Sequence, residues 1–142
     1  MPDNSQIIQA CHEAFTGFEK NERTKLTALF AEDAVFEFPT SLPYGGRYNG
    51  IAEFKAFWAD LLENYYEYFN YDLHAVLDAG THIVVPVVAR AKAKTGRTME
   101  NEHCFLFKVE NGKIVYGRIY ADTAKGRDVM EGLKKHPSRA TG

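Results

Sequence analysis

Hydrophobic and polar positions repeat at helical spacing in the first half of the chain and at every second residue in most of the second. Across residues 4–21, Ile7, Ile8, Cys11, Ala14, Phe15 and Phe18 form one apolar stripe, which predicts a helix with Ser5 as its N-cap. Thr24 can cap a short second helix that turns Leu26, Leu29 and Phe30 inward. Asp33 breaks that pattern, and a short strand from Ala34 to Phe38 ends at Pro39. The next stretch, PTSLPYGGRYNG, reads as a long loop with two Pro, three Gly and two Tyr. Loops of that length in a compact domain tend to form lids or rims, so Tyr44 is its candidate for reaching a ligand. The alternative is that the Tyr44 ring only packs over the core edge. Helical spacing resumes over 51–69, where Phe54, Phe57, Trp58, Leu61, Leu62 and Tyr65 make a broad aromatic stripe.

The period then becomes two. A strand is expected over Tyr71–Ala79 and another over His82–Lys94. One face of the latter carries Ile83, Val85, Val87, Ala89, Ala91 and Ala93, and the fall from bulky residues to alanine leaves room beside it. Pro86 within the run suggests an edge or a bulge. After Thr95-Gly96-Arg97 the stretch Met99 to Asp122 reads as a hairpin turning at Asn111-Gly112, residues that tolerate positive φ. A three-residue first loop sets Lys92 against Glu100, Arg90 against Glu102, Ala91 against Asn101 and Ala89 against His103. A two-residue loop would set every charge against an apolar partner and flip the faces. In the second hairpin, a three-residue loop at Glu110-Asn111-Gly112 turns Val115, Gly117, Ile119 and Ala121 inward and places His103 across from Ile119. A two-residue loop would instead turn Tyr116, Arg118 and Tyr120 inward. The inner face of the first strand of this hairpin is Met99, Asn101, His103, Phe105, Phe107 and Val109, apolar but for Asn101 and His103. Asp122 is placed to cap a last helix with Val129, Met130 and Leu133, and the tail 136–142 is expected to be disordered.

With 142 residues, 45% of them hydrophobic, the chain fits one domain over 1–135 with one core. The net charge of −2 gives no field to attract nucleic acid or an anionic membrane. No apolar run is long enough to cross a bilayer, and no signal peptide is evident, so the expected location is cytoplasmic. Cys11 and Cys104 sit in separate apolar contexts and read as small buried hydrophobes. The five histidines show no metal-ligand spacing, and no glycine-rich phosphate loop is present, so no metal or cofactor is expected.

The order of elements predicts an α+β fold: about three to four helices packed on a strongly curved, mostly antiparallel sheet. With ALFAEDAVFEFP, the loop ending Tyr48-Asn49-Gly50, and VENGKIVYGRIYAD, the chain resembles the nuclear transport factor 2-like superfamily. Within it, the SnoaL-like and ketosteroid-isomerase-like enzymes are the nearest in pattern. The resemblance runs from about Ile7 to Met130 and implies a cone-shaped fold around a pocket. It fixes no single chemistry, since the superfamily hosts isomerases, cyclases, hydrolases and non-catalytic members. The isomerases' aspartate base falls at Phe38 and their oxyanion-binding tyrosine at about Ala14. Their protonated aspartate falls at His103. The cyclases' last-strand aspartate falls at Ile119. The hydrolases' Arg-x-Asp is met by Arg90-Ala91-Lys92, without its carboxylate.

His103 is therefore the candidate catalytic acid/base, with an ordinary pKa near 6.5 that suits proton transfer. Phe15, Phe38, Tyr44, Trp58, Asn101, Phe105 and Ile119 are the candidate pocket residues. The expected partner is a small apolar molecule, acted on by an isomerase, cyclase or hydrolase-type enzyme. The alternative is a non-catalytic domain that binds a ligand or dimerises. A homodimer through the outer sheet face is expected in either case, because Leu106, Tyr116 and Tyr120 would share that face with charged residues.

Overall fold

The computed structural model describes residues 4–18 and 23–131. Among these, four helices pack on a seven-stranded, mostly antiparallel, curled sheet, the α+β fold expected from the order of elements and the cone that the family resemblance implies. Helix α1 spans Ser5–Thr16 and buries Ile7, Ala10, Cys11, Ala14 and Phe15 along one stripe. Its N-cap is Asn4, one residue earlier than expected, and the Asn4 side chain makes no capping bond. Its amide donates instead to Asp78 Oδ1 and the Gly80 carbonyl, both at 2.8 Å, and so pins the helix to a distant turn. Helix α2 is Arg23–Thr27. Strand β1, Phe30–Phe38, begins earlier than the sequence suggested, and its pairing slips between Phe30 and Val35, around Asp33.

The stretch expected as one long loop contains strand β2, Gly46–Asn49, antiparallel to β1. Helix α3 is Gly50–Asp60, and a π-helical turn over Leu61–Tyr65 ends it. The helix expected to reach residue 69 therefore stops earlier, and β3 runs over Tyr66–Leu73. The apolar stripe of α3 and the turn is as expected, with Phe54, Phe57, Trp58, Leu61 and Tyr65 buried. What helical spacing hid is that β3 already begins at Tyr66, which faces the core; the register then shifts between Tyr66 and Tyr68, and Phe69 and Tyr71 alternate inward.

Strands β4 (Leu77–Asp78), β5 (His82–Ala93), β6 (Thr98–Glu110) and β7 (Lys113–Ala121) complete the sheet, ordered β2-β1-β7-β6-β5-β3 with β4 also on β5. Strands β1 and β7 are parallel. The alanines of β5 leave no open space of their own, because Tyr71, Phe69 and Tyr66 of β3 lie opposite Ala89, Ala91 and Ala93. Pro86 sits inside the sheet, not on its edge. Its carbonyl accepts from His74 N at 3.0 Å, so its missing N–H points to the same side, where the ladder is interrupted between β3 and β4.

Both hairpin registers differ from expectation in partner. The first loop places Gly96, with φ of 92°, at its last position, where a left-handed residue is needed. Ala93 N donates to Arg97 O at 2.8 Å across this loop, and the pairing shifts by two residues. Arg90 thus faces Glu100, Ala89 faces Asn101, and His103 faces Val87 instead of Ala89. A shift of two leaves every face unchanged. The second hairpin turns through two residues, Asn111 (φ 52°) and Gly112 (φ 73°), with Glu110 opposite Lys113. A bulge between Lys108 and Val109 then adds the extra step, so Gly117 and Ile119 still face inward while Ile114 is buried in place of Val115. His103 consequently faces Ala121, and Ile119 faces Phe105.

Asp122 caps α4, Thr123–Met130, by accepting from Ala124 N at 3.1 Å and Lys125 N at 3.4 Å. Leu133 and the tail 136–142 lie outside the described residues. Cys11 is buried as expected, whereas Cys104 is partly exposed on the outer sheet face, where it meets Pro86 and Tyr120. No helix among the described residues is long and apolar enough to cross a membrane.

Candidate functional site

Two gaps lie between the helices and the inner face of the sheet. The first reaches His103 and is bounded by Phe38, Tyr44, Trp58 and Ile119. Leu42 of the loop after β1 and Ala121 at the end of β7 also line it, beside Leu61, Phe69 and Tyr71. The second lies under α1 and α2, where Ala14, Phe15, Phe30, Phe36 and Phe105 are among its walls. Each has free room for little more than a single water between its side chains.

The elements explain why these side chains converge. Strand alternation in β6 sends His103 and Phe105 inward, two positions apart on one face. Helix α3 lays Trp58 and Phe57 over that face, and the Phe57 ring stacks on Phe38 at 4.2 Å. The loop after β1 folds back on itself at Gly45, where a side-chain carbon would come within 1.8 Å of the Pro39 carbonyl oxygen, so only glycine fits. That close turn buries Tyr44. Its hydroxyl meets the Tyr66 hydroxyl at 3.0 Å, and its own carbonyl accepts from Tyr48 Oη at 2.6 Å. Gly126 of α4 packs on Leu42 and so brings the last helix against the same loop.

The polar groups of the first gap are uncharged. Burial lowers the His103 imidazole to a pKa of about 4. Burial likewise raises Tyr44 to about 12, partly offset by its bond to Tyr66. It raises Tyr71 well above its usual value, with a smaller contribution from Tyr44. Tyr71 Oη and His103 Nδ1 are buried without a partner among the described residues. Most buried polar atoms in folded proteins are hydrogen-bonded, so two unpartnered ones lining a single gap stand out.

The residues singled out from sequence divide into three places. His103, Phe38, Tyr44, Trp58 and Ile119 line the first gap. Phe15 and Phe105 line the second, and Trp58 borders both. Asn101 borders neither. Its Nδ2 donates to the Asp122 carbonyl at 2.9 Å and ties β6 to the start of α4. Tyr71 was missed. The sequence placed Tyr71 at the start of a strand, but the helical reading of residues 51–69 hid Phe69, the buried residue two positions before it that marks its face as the inner one.

The family model for the SnoaL-like domain matches residues 11–117, and the chain belongs to that family. Among curated proteins none matches the sequence. Solved structures with the same fold include a nuclear transport factor 2-like protein of unknown function from Burkholderia pseudomallei K96243. It has a TM-score of 0.81 and 23% identity, covering 89% of this chain and 98% of that one. A protein from Jannaschia sp. CCS1 described as a SnoaL-like polyketide cyclase aligns with a TM-score of 0.75 and 15% identity, over 94% of this chain and 97% of its own. IdmH from Streptomyces antibioticus, described as a polyketide cyclase, aligns with a TM-score of 0.69 and 17% identity, over 88% and 98%.

Proposed function

We propose that this SnoaL-like domain binds a small, uncharged, mostly hydrophobic molecule in the gap at His103. The supporting observation is the pair of buried, unpartnered polar atoms, Tyr71 Oη and His103 Nδ1, in a gap otherwise walled by apolar and aromatic surface. Sites for small molecules are typically apolar with a few convergent polar groups, and this gap has that composition, though its walls must part to admit anything larger than a water. The likeness to proteins described as polyketide cyclases is consistent with a polycyclic or aromatic ligand.

A catalytic form of the same reading uses His103 as acid/base in an isomerase, cyclase or hydrolase-type step. What favours it is that Nδ1 has no partner among the described residues and is available to a substrate proton. What weighs against it is strength: an imidazole held near pKa 4 carries almost no proton at neutral pH and is a weak base. No Asp, Glu, Lys or Arg lines the gap to tune it. Binding without turnover is therefore the preferred form.

Thermal-shift screening of wild type and His103→Ala against phenols and aromatic ketones of one to three fused rings tests both forms. Binding raises Tm through its free energy. The binding reading expects shifts in wild type, and the catalytic form additionally expects turnover that His103→Ala abolishes. Equal shifts in both proteins with no product leave binding and remove the catalytic histidine. We also propose that a second copy of the chain covers the outer sheet face, where Tyr120 and Leu77 are each 52% exposed.

A further inference from the structure

We propose that α4 is a hinged wall of the gap at His103, pivoting at Asp122 and parting from the body at its C-terminal end. Its use as an entrance rests on the binding reading above, whereas the hinge is tested without a ligand, so the two fail separately.

Anything larger than a water needs one wall of the gap to part. The aromatic wall is held from many sides. The Trp58 ring alone meets Phe18, Phe38, Phe54, Phe57 and Phe69 at centroid distances of 5.1 to 6.4 Å. The wall formed by β6 and β7 is held by strand pairing on both sides. What is left is the stretch where Leu42 and Ala121 line the gap, and α4 backs it. Ala121 leads into α4 through Asp122. Gly126 comes so close that a methyl group there would lie 2.6 Å from Leu42 Cδ2. Glycine inside a helix is less stable than alanine, so its place here marks that close approach. Leu42, between Gly126 and the gap, is the side chain that a departing α4 frees to swing outward.

The two ends of α4 are attached differently. At the first, Asn101, itself only 2% exposed, donates to the Asp122 carbonyl at 2.9 Å, and the Asp122 side chain caps the helix. At the second, the ties come from the loop between β5 and β6. Thr95 Oγ1 donates to the Val129 carbonyl and the Arg97 guanidinium to the Asp128 carbonyl, both at 2.7 Å. Arg97 also pairs with Glu131, and Lys125 donates to the Glu100 carbonyl at 3.3 Å; these charged groups face solvent, where such bonds hold weakly. Only Val129 and Met130 bury apolar side chains from this helix. Eight residues make too short a helix to be stable alone, so releasing it exposes two apolar side chains and little else. Units of that kind open well below global unfolding.

Thiol labelling of the full chain with iodoacetamide tests this. Ile119→Cys places a reporter on the gap, in a Cys104→Ser background that removes the partly exposed thiol. Leu61→Cys, on another wall of the same gap, serves should Ile119→Cys not fold. Cys11, buried on α1, reports on opening of the rest. The reporter is expected to label at least about a hundredfold faster than Cys11, with little dependence on urea below the unfolding transition, because a local opening exposes little surface. Arg97→Ala and Thr95→Val are each expected to speed the reporter about fivefold. Asn4→Ala, which releases α1 from Asp78 and Gly80, is expected to speed Cys11 and leave the reporter unchanged. A reporter that labels at the rate of Cys11 with the same urea dependence overturns the hinge, since global unfolding alone would then reach it. A reporter sped by Asn4→Ala, and by neither Arg97→Ala nor Thr95→Val, also overturns it and puts the moving wall at α1. Either result leaves the binding reading to the thermal-shift screen, and a screen without shifts removes the entrance but not the hinge.

Discussion

Tyr71 and His103 meet ring to ring across strand β5, with centroids 6.0 Å apart at an interplanar angle of 62°, and each holds a buried polar atom without a partner among the described residues. A core selected for stability alone would carry phenylalanine at 71, since the ring already packs against Phe15, Phe18, Phe69 and Phe105. An unbonded buried hydroxyl costs about 1–3 kcal/mol. Tyr71→Phe is therefore expected to raise the stability of the ligand-free protein by about 1 kcal/mol, read from urea unfolding at unchanged m. A loss of similar size would mean that the hydroxyl is already satisfied, by an ordered water for instance, and the site would not be open as described.

The lowered pKa of His103 fixes a direction for stability against pH. Folding holds the imidazole neutral down to about pH 4, whereas the unfolded chain takes up the proton near 6.5. Between those values the unfolded state binds more protons, so stability rises with pH and falls on acidification. From pH 7 to pH 5 the loss assigned to His103 is about 2 kcal/mol. Thermal or urea unfolding of wild type and His103→Gln at both values checks this. The difference between the two proteins should shrink by that amount at pH 5. A constant difference would mean that the imidazole is not held neutral by the fold.

The fold was legible in the sequence because the faces of the strands repeat with period two, and Ile83, Val85, His103, Phe105, Gly117 and Ile119 all point where alternation sends them. The pairing across strands was less legible, for a physical reason. Sliding β6 by two residues against β5 preserves both faces, so only the loop distinguishes the registers. The required left-handed residue, Gly96, was present but assigned to the middle of its loop instead of the end. The bulge beside Val109 has no local signature and restores the parity that the two-residue turn would have reversed. Of the site, His103 and the aromatic wall were readable as polar and apolar members of one face. Tyr71 was placed on a strand, but its face was not readable, because the helical reading ran on through Phe69, past the π-helical turn Leu61–Tyr65 where the helix ends.

Gly117 shows how closely the sheet packs on β1. It pairs with Phe36 on one side and Phe107 on the other, and a methyl group there would lie 2.6 Å from the Phe36 ring. Phe36 is 1% exposed and touches Phe38, Phe54 and Phe105, so it has no free direction to yield. Gly117→Ala is expected to cost about 1–3 kcal/mol by overpacking. Gly112→Ala is also expected to destabilise, but by backbone strain alone, since its φ of 73° is left-handed and no atom lies near. Urea unfolding of both separates the mechanisms, because Phe36→Leu should rescue the first variant and not the second. Failure of that rescue would remove the steric explanation.

The outer face of the sheet carries the last expectation. Side chains there run in cross-strand rows: Val84, Leu106 and Arg118 in one, Pro86, Cys104 and Tyr120 in the next. Apolar side chains in adjoining rows on a sheet face, with Tyr120 and Leu77 exposed among them, are the kind of surface a second chain covers. Arg118 lies 5.3 Å from the Tyr120 ring and is bonded at 3.0 Å to Glu37, so the rim of the patch is charged while its centre is not. A two-fold contact would place the same rows against each other, which makes Leu106, between Val84 and Arg118, the residue most sensitive to charge. Light scattering after size exclusion is expected to give a dimer for wild type at micromolar concentration. Leu106→Lys would set two like charges face to face beside Arg118 and is expected to weaken association about a hundredfold. The substitution removes nothing from the inner face, so the gap at His103 should be unaffected. A wild-type chain that stays monomeric at about 100 μM, a concentration where even weak specific dimers form, would leave the outer face without its second copy.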